Sequence, residues 1–196
     1  MTTPKLIGLS GTNGSGKDTV GHMLAQRHNY LFISVSDLLR DEARDRNLPV
    51  TREVLRTISA EWRREFGLGV LVDRAVERYG QAGDRYAGLV ACPMRNAGEA
   101  QHLKDLGGLL VWVDADPRVR YERIQANAAN RGRAGEDDKT FEQFLREEEA
   151  EMHKPVDGDD ATLNMLAVKE KANLTISNST ANIAEFEDIA EKALGF

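Results

Sequence analysis

Residues 5–27, KLIGLSGTNGSGKDTVGHMLAQR, contain the strongest structural signal in this chain. Lys5–Ser10 is a short apolar run typical of a buried parallel strand, and Lys17–Arg27 has the apolar spacing of a helix. Between them, a glycine is followed after four residues by a second glycine and a lysine, the spacing of a phosphate-binding loop. Glycines let successive backbone N–H groups point at phosphate oxygens, and the helix N-terminus adds positive charge. The predicted triphosphate-binding residues here are Gly11, Thr12, Asn13, Gly14, Ser15, Gly16, Lys17, Asp18 and Thr19.

The end of this loop also carries the candidate metal ligands. Lys17 supplies a formal positive charge for the β- and γ-phosphates. Asp18 replaces the serine or threonine that usually follows the lysine, and Thr19 comes next. Because a triphosphate repels a carboxylate, Asp18 is either a solvated helix residue or a group that faces Mg²⁺. Thr19 is the more natural polar partner on the phosphate side.

Length, charge and cysteine content exclude several classes of protein. The 196 residues predict one α/β domain, and the net charge of −6 argues against nonspecific binding to nucleic acid. A single cysteine, Cys92, excludes an internal disulfide and a cysteine cage for zinc. No apolar run has the length of a membrane helix, and the N-terminus has no signal-peptide pattern. We therefore expect a cytoplasmic protein with no membrane and no nucleic-acid partner.

Strands alternate with helices along the rest of the chain. Further apolar runs are predicted as strands, and the segments between them have helical spacing. The predicted capping residues of these helices are Ser36 and Asp37, Asp116, Thr140 with Gln143, and Asn182. This alternation predicts right-handed crossovers and one parallel sheet that is covered on both faces. The predicted strands after the first are Tyr30–Val35, Ala87–Cys92, Leu109–Val113 and Leu174–Ser177.

Charged residues follow two of these strands. Asp37 and Arg40 come directly after the second strand and are three residues apart, so they share one helix face. Arg95 lies just beyond the third strand, and Glu99, four residues later, either pairs with or orients it or is an exposed helix residue. Arg44 is expected at the surface. Parallel sheets gather their ligands at the carboxyl ends of the strands, which favours a second anion site over an exposed ion pair.

More arginines follow the fourth strand. Arg123 lies in the helix that begins at Asp116-Pro117, and Arg131 and Arg133 lie in the polar loop after it. Phosphoryl transfer develops negative charge on the transferred group, and arginines stabilise that charge. A lid formed by this loop would bring Arg131 and Arg133 over the phosphates and exclude water.

The phosphate loop, the Asp37/Arg40 segment, Arg95 and the lid arginines occur in the order in which the nucleoside monophosphate kinases carry them, and the whole chain resembles that group. The likeness is closest to the deoxynucleoside monophosphate kinase and dephospho-CoA kinase-like branch. It implies a three-layer P-loop fold over residues 1–196, with a five-stranded parallel sheet in the order 2-3-1-4-5. It also implies an acceptor-binding region near residues 36–80 and a small lid near residues 124–139.

The resemblance implies transfer of the γ-phosphoryl group of Mg·ATP to a (deoxy)nucleoside monophosphate. Lys17, Arg123, Arg131 and Arg133 would act on the transferred group, while Asp37, Arg40 and Arg95 would bind the acceptor. Asn178 stands where related kinases form the loop near the donor base. ATP, Mg²⁺ and small nucleotides are the expected ligands, and the chain is expected to be a monomer or homodimer.

One departure from this pattern keeps other functions open. Related kinases carry an acidic residue at the end of the third strand, where this chain has Ala91 and Cys92. Asp18, Asp37 and Asp114 are the candidate replacements. One alternative is transfer to a hydroxyl, as in dephospho-CoA kinase, with Asp37 as the base. Another is a nucleotide-dependent ATPase or assembly factor.

Overall fold

The computed structural model describes residues 3–127 and 139–196, and it contains the predicted parallel sheet. Within these residues the strand order is β2-β3-β1-β4-β5, as the resemblance implied. Neighbouring strands pair in parallel, with Ile7 opposite both Val90 and Leu109. The strands are β1 (Leu6–Ser10), β2 (Tyr30–Ser34), β3 (Gly88–Cys92), β4 (Leu109–Asp114) and β5 (Leu174–Ser177).

Helices connect the strands and cover the sheet. Their bounds lie within a few residues of those expected from the apolar spacing. The helices are α1 (Lys17–His28), α2 (Val35–Asp45), α3 (Arg52–Phe66), α4 (Val70–Ala82), α5 (Ala97–Asp105), α6 (Pro117–Ala126), α7 (Phe141–Met152), α8 (Met165–Lys171) and α9 (Ile183–Leu194). None of these helices, over the two described ranges, is long and apolar enough to cross a membrane.

Two apolar cores lie on opposite faces of the sheet. Leu89 and Ala91 of β3 pack in a core with side chains of α2, α3, α4 and α5, whereas Val90 and Cys92 pack in a core with α1 and α9. Successive residues of a strand point to opposite faces, so a strand buried on both sides is nearly continuous in apolar residues. This explains the continuous apolar runs and gives the three layers that the resemblance implied.

Helix α2 begins earlier than the sequence predicted. Ser36 and Asp37 were the expected cap residues, but Ser34 caps the helix and accepts a hydrogen bond from the Asp37 N–H at 3.2 Å. The second strand therefore ends one residue earlier than expected. The caps expected at Asp116 and at Thr140 with Gln143 are confirmed.

Because all strands run in the same direction, their carboxyl ends meet at one edge of the sheet. The segments that follow β1, β2 and β3 carry the phosphate loop, the Asp37/Arg40 pair and Arg95. The topology therefore brings together three sequence motifs that are up to 84 residues apart, as the hydrogen bond from Ser10 to the Met94 carbonyl across this edge illustrates.

Candidate active site

The loop between β1 and α1 has a backbone that glycine favours. Gly11, Gly14 and Gly16 have φ values of 143°, 78° and 99°. A Cβ atom at Gly11 would lie 2.3 Å from the Val113 carbonyl oxygen, and one at Gly16 would lie 2.4 Å from the Asn178 side chain. The close packing of neighbouring segments, as well as the backbone angles, therefore requires these glycines.

This loop holds polar groups that match a phosphate. Lys17 is buried at the start of α1, and its ammonium lies 3.5 Å from the Thr12 carbonyl oxygen. The hydroxyls of Thr12 and Ser15 are buried without a hydrogen-bond partner among the residues that the structure describes. Buried polar groups normally have partners, so these two hydroxyls are available to bind a ligand. A cation, a helix N-terminus and two hydroxyls form an anion-binding site.

Asp18 stands beside the strand that lacks the expected acidic residue. The Cys92 thiol at the end of β3 donates a hydrogen bond to Asp18 Oδ1 at 3.5 Å, and the Asp18 side chain is 65% exposed. Burial, and then the nearby Asp18 carboxylate, raise the pKa of the Cys92 thiol well above its usual range. Asp18 therefore brings a carboxylate to the end of β3 from another element.

The other two candidate replacements are engaged elsewhere. Asp37 forms an ion pair with Arg40. Asp114 accepts hydrogen bonds from Lys169 at 2.9 Å and from the Ala115 N–H at 3.0 Å. Of the three, Asp18 is the one in contact with the end of β3.

A single cleft of about 860 Å³ runs along this edge of the sheet. It is lined by Lys17 and Asp18 from α1, by Asp37 and Arg40 from α2, and by Arg95 after β3. Ligand pockets in proteins have volumes of roughly 300–1,000 Å³, so the cleft is large enough for two small ligands in contact. The structure thus brings both predicted anion sites to one cavity.

Similarity to known proteins agrees with this geometry. The family described as "AAA domain" matches residues 7–154. The UPF0200 protein PH1008 of Pyrococcus horikoshii is 30% identical over 75% of this chain and 78% of its own length. The chain belongs to the AAA domain and UPF0200 families.

Solved structures show that this AAA domain has the fold of P-loop kinases. TT1252 from Thermus thermophilus superposes with a TM-score of 0.59 at 18% identity, covering 98% of this chain and 97% of that one. The shikimate kinase from Acinetobacter baumannii superposes with a TM-score of 0.54 at 20% identity, covering 98% and 92%. At these identities the likeness establishes the fold.

Helix α3 of this AAA domain adds arginines that the sequence interpretation missed. Arg52, Arg56 and Arg63 also line the cleft. They are spaced four and seven residues apart, which places them on one face of a helix. This arginine spacing was the sequence signal that could have predicted these cleft residues, but a charged stripe on a helix usually faces solvent. Arg44, which was expected at the surface, is exposed and lies at the cleft wall, where it pairs with Asp41 at 2.9 Å.

Arg95 and Glu99 have separate partners in the cleft wall. The Arg95 side chain donates a hydrogen bond to Glu151 at 2.8 Å. Glu99 is buried, pairs with Arg63 at 2.6 Å, and accepts the backbone N–H of Arg95 at 2.9 Å. Of the two interpretations open for Glu99, exposed residue or orienting group, the structure supports the second. It fixes the turn that carries Arg95.

Arg123 and Asn178 contact each other beside the phosphate loop, and their roles in ligand binding stay predictions. The Arg123 guanidinium donates to the Thr180 carbonyl at 2.6 Å and to the Asn178 side chain at 3.2 Å, and burial lowers its pKa. The Asn178 side chain donates to the Ser15 carbonyl at 2.9 Å. The Asn178 side chain thus joins the loop after β5 to the phosphate loop, and the buried Nη1 of Arg123 has no hydrogen-bond partner among the described residues. Arg131 and Arg133 lie outside the described residues.

Arg120, which the sequence interpretation did not select, contacts the phosphate loop directly. It is buried, donates to the Asn13 carbonyl at 3.3 Å, and pairs with Glu148 of α7. It also donates to the Ala115 carbonyl at 2.8 Å. Arg120 therefore ties the phosphate loop to the helix that follows residues 128–138.

Proposed function

We propose that this protein is an ATP-dependent phosphotransferase that transfers the γ-phosphoryl group of Mg·ATP to the phosphate of a (deoxy)nucleoside monophosphate. The observation that carries the proposal is that Lys17, Arg40 and Arg95 line one cleft. Phosphoryl transfer needs little covalent chemistry from the protein, which mainly positions two anionic ligands and neutralises charge.

The donor's triphosphate would bind in the phosphate loop. Lys17 would contact the β- and γ-phosphates, and the hydroxyls of Thr12 and Ser15 would donate to phosphate oxygens. Asp18 and Thr19 at the start of α1 offer the oxygen ligands that Mg²⁺ prefers. Mg²⁺, when bound, would neutralise charge on the triphosphate. Thr12, Ser15 and Lys17 are buried or partly buried, so these contacts would be screened little by water.

The acceptor would bind on the side of α2 and α3. Arg40 and Arg95 would bind this ligand, with Arg40 oriented by Asp37. A phosphate monoester is largely ionised at neutral pH, so this transfer requires no general base. Leu39, Val50 and Leu55 also line the cleft and would pack against an apolar surface such as a base. Arg123, Arg131 and Arg133 remain predicted to stabilise the transferred group.

A hydroxyl acceptor is the second candidate. Asp37 and Lys17 line the same cleft. The Asp37 carboxylate would therefore serve as the base that accepts the proton of an acceptor hydroxyl. Replacing Asp37 with asparagine separates the two cases. It would abolish transfer to a hydroxyl and would leave substantial transfer to a phosphate.

An assay of ADP release against a panel of acceptors tests the proposal. The panel contains the ribo- and deoxyribonucleoside monophosphates and dephospho-CoA, and each is compared with ATP alone. We expect release that depends on at least one monophosphate. Acceptor-independent hydrolysis that no monophosphate stimulates would instead identify an ATPase or assembly factor. Arg85→Ala, an exposed arginine outside the cleft, is the matched control for arginine variants.

A further inference from the structure

A glutamate lies among the arginines of the cleft. Glu151, in the last turn of α7, accepts a hydrogen bond from Arg56 at 2.6 Å on one carboxylate oxygen and from Arg95 at 2.8 Å on the other. Only 15% of its side chain is exposed. Arg52 acts on the same carboxylate through its charge. Two elements that are distant in sequence, α3 and the turn after β3, therefore supply the cations that surround one anion.

The position of Glu151 is unfavourable for α7 alone. A negative charge in the last turn opposes the helix dipole, and this last turn contains no basic residue. Burial raises the pKa of Glu151, but the charges of Arg95, Arg56 and Arg52 outweigh it and lower the pKa to about 2. The arginines thus keep Glu151 ionised. Arg52 also forms an ion pair with Glu147 at 3.6 Å.

On the basis of the function proposed above, we propose that the acceptor's phosphate binds among Arg52, Arg56 and Arg95, at the position that the Glu151 carboxylate occupies, and displaces it. The ligand class is a substrate with a terminal phosphate. Such a group carries a charge of about −1.5 to −2 at neutral pH and has three acceptor oxygens, whereas a carboxylate has one charge and two oxygens. Guanidinium groups bind both in the same bidentate manner, so the phosphate can replace the carboxylate.

Displacement would also link the acceptor to the donor site. Glu151 shares α7 with Glu148, which pairs with Arg120, and Arg120 donates to the phosphate loop at Asn13. Release of Glu151 frees the end of α7 from α3 and from Arg95. An occupied acceptor site would therefore alter the contact of Glu148 with Arg120, which itself contacts the phosphate loop.

Calorimetric titration of the full chain with inorganic phosphate, at constant ionic strength, tests the proposal without turnover. Glu151→Gln removes the competing charge, and we expect phosphate to bind about tenfold more tightly than to the wild-type protein, equivalent to about 1.4 kcal/mol. Adding Arg56→Gln to this variant should remove the gain. Glu149→Gln makes the same charge change on the same helix, but Glu149 is 74% exposed and contacts His153, so its affinity should remain at the wild-type value.

Unchanged or weaker phosphate binding by Glu151→Gln would overturn the proposal, because a purely structural glutamate gives no gain of affinity. If this variant does not fold, amide hydrogen exchange of the wild-type protein, measured with and without phosphate, tests the displacement of Glu151. Phosphate should accelerate exchange in the last turn of α7, and unchanged exchange refutes displacement. If Glu151→Gln gains phosphate affinity but no monophosphate stimulates ADP release, the phosphate site is supported and the proposed function is refuted. If a monophosphate stimulates ADP release but Glu151→Gln gains no phosphate affinity, the proposed function is supported and the phosphate site is refuted.

Discussion

Replacing Glu99 with glutamine should strongly destabilise the protein. The Glu99 carboxylate is fully buried and accepts hydrogen bonds from Arg63 at 2.9 and 2.6 Å. It also accepts the N–H groups of Arg95 at 2.9 Å and Asn96 at 3.2 Å. Glutamine keeps the shape but removes the charge and turns an N–H donor toward other donors. Because the buried Arg63 charge then loses its counter-ion, the free energy of unfolding should fall by about 3–5 kcal/mol.

Urea unfolding followed by tryptophan fluorescence measures this change, since Trp62 and Trp112 are both buried. The midpoint should fall while the slope stays constant, and the melting temperature should fall by about 6–20 °C. Glu61→Gln is the control, because Glu61 is 45% exposed and pairs with Arg46 at the surface. Glu61→Gln should lower the free energy of unfolding by less than about 1 kcal/mol. An equally small decrease in the free energy of unfolding for both variants would refute a stabilising role for the buried ion pair of Arg63 and Glu99.

Four further outcomes are expected. Lys17→Ala should abolish ADP release with every acceptor, because the phosphate loop loses its ammonium. Arg40→Ala should raise the acceptor KM much more than the ATP KM in steady-state kinetics. Arg131→Ala should lower kcat by up to about 10³-fold if Arg131 acts on the transferred group. The folded-state pKa of Glu151, about 2, lies below its ordinary 4.5. Its contribution to stability, about 3 kcal/mol, is therefore present above pH 4.5 and is lost as the pH falls toward 2, as urea unfolding at several pH values would show.

Controls separate these outcomes from general damage. Arg85→Ala should leave both KM values and kcat unchanged. Equal rises in both KM values for Arg40→Ala would contradict its placement on the acceptor side. For the pH dependence, the stability difference between the wild-type protein and Glu151→Gln should shrink as the pH falls below 4.5. A difference that is constant with pH would contradict the arginine contacts of Glu151.

The sequence alone determined the local structure and the phosphate-loop motif. Apolar runs identified the strands because parallel strands buried on both faces are nearly continuous in apolar residues. Caps such as Asp116 and Asn182 marked helix starts because a side chain must satisfy the free N–H groups there. The phosphate loop was predictable because its lysine, glycines and helix start lie within a few residues of one another. The sheet order came from the resemblance to nucleoside monophosphate kinases.

Only the tertiary structure decided which charges meet. The contacts of Asp18 with Cys92, of Glu99 with Arg63 and of Glu151 with Arg95 join residues 36 to 74 positions apart. Local sequence spacing does not predict such pairs, and the arginine stripe on α3 has the same pattern whether it faces solvent or a cleft. The contacts of Arg123 were unpredictable for the same reason, since the loop after β5 that binds its guanidinium comes 55 residues later. Charges act through space over several ångströms, so their partners depend on how the elements pack rather than on their order in the chain.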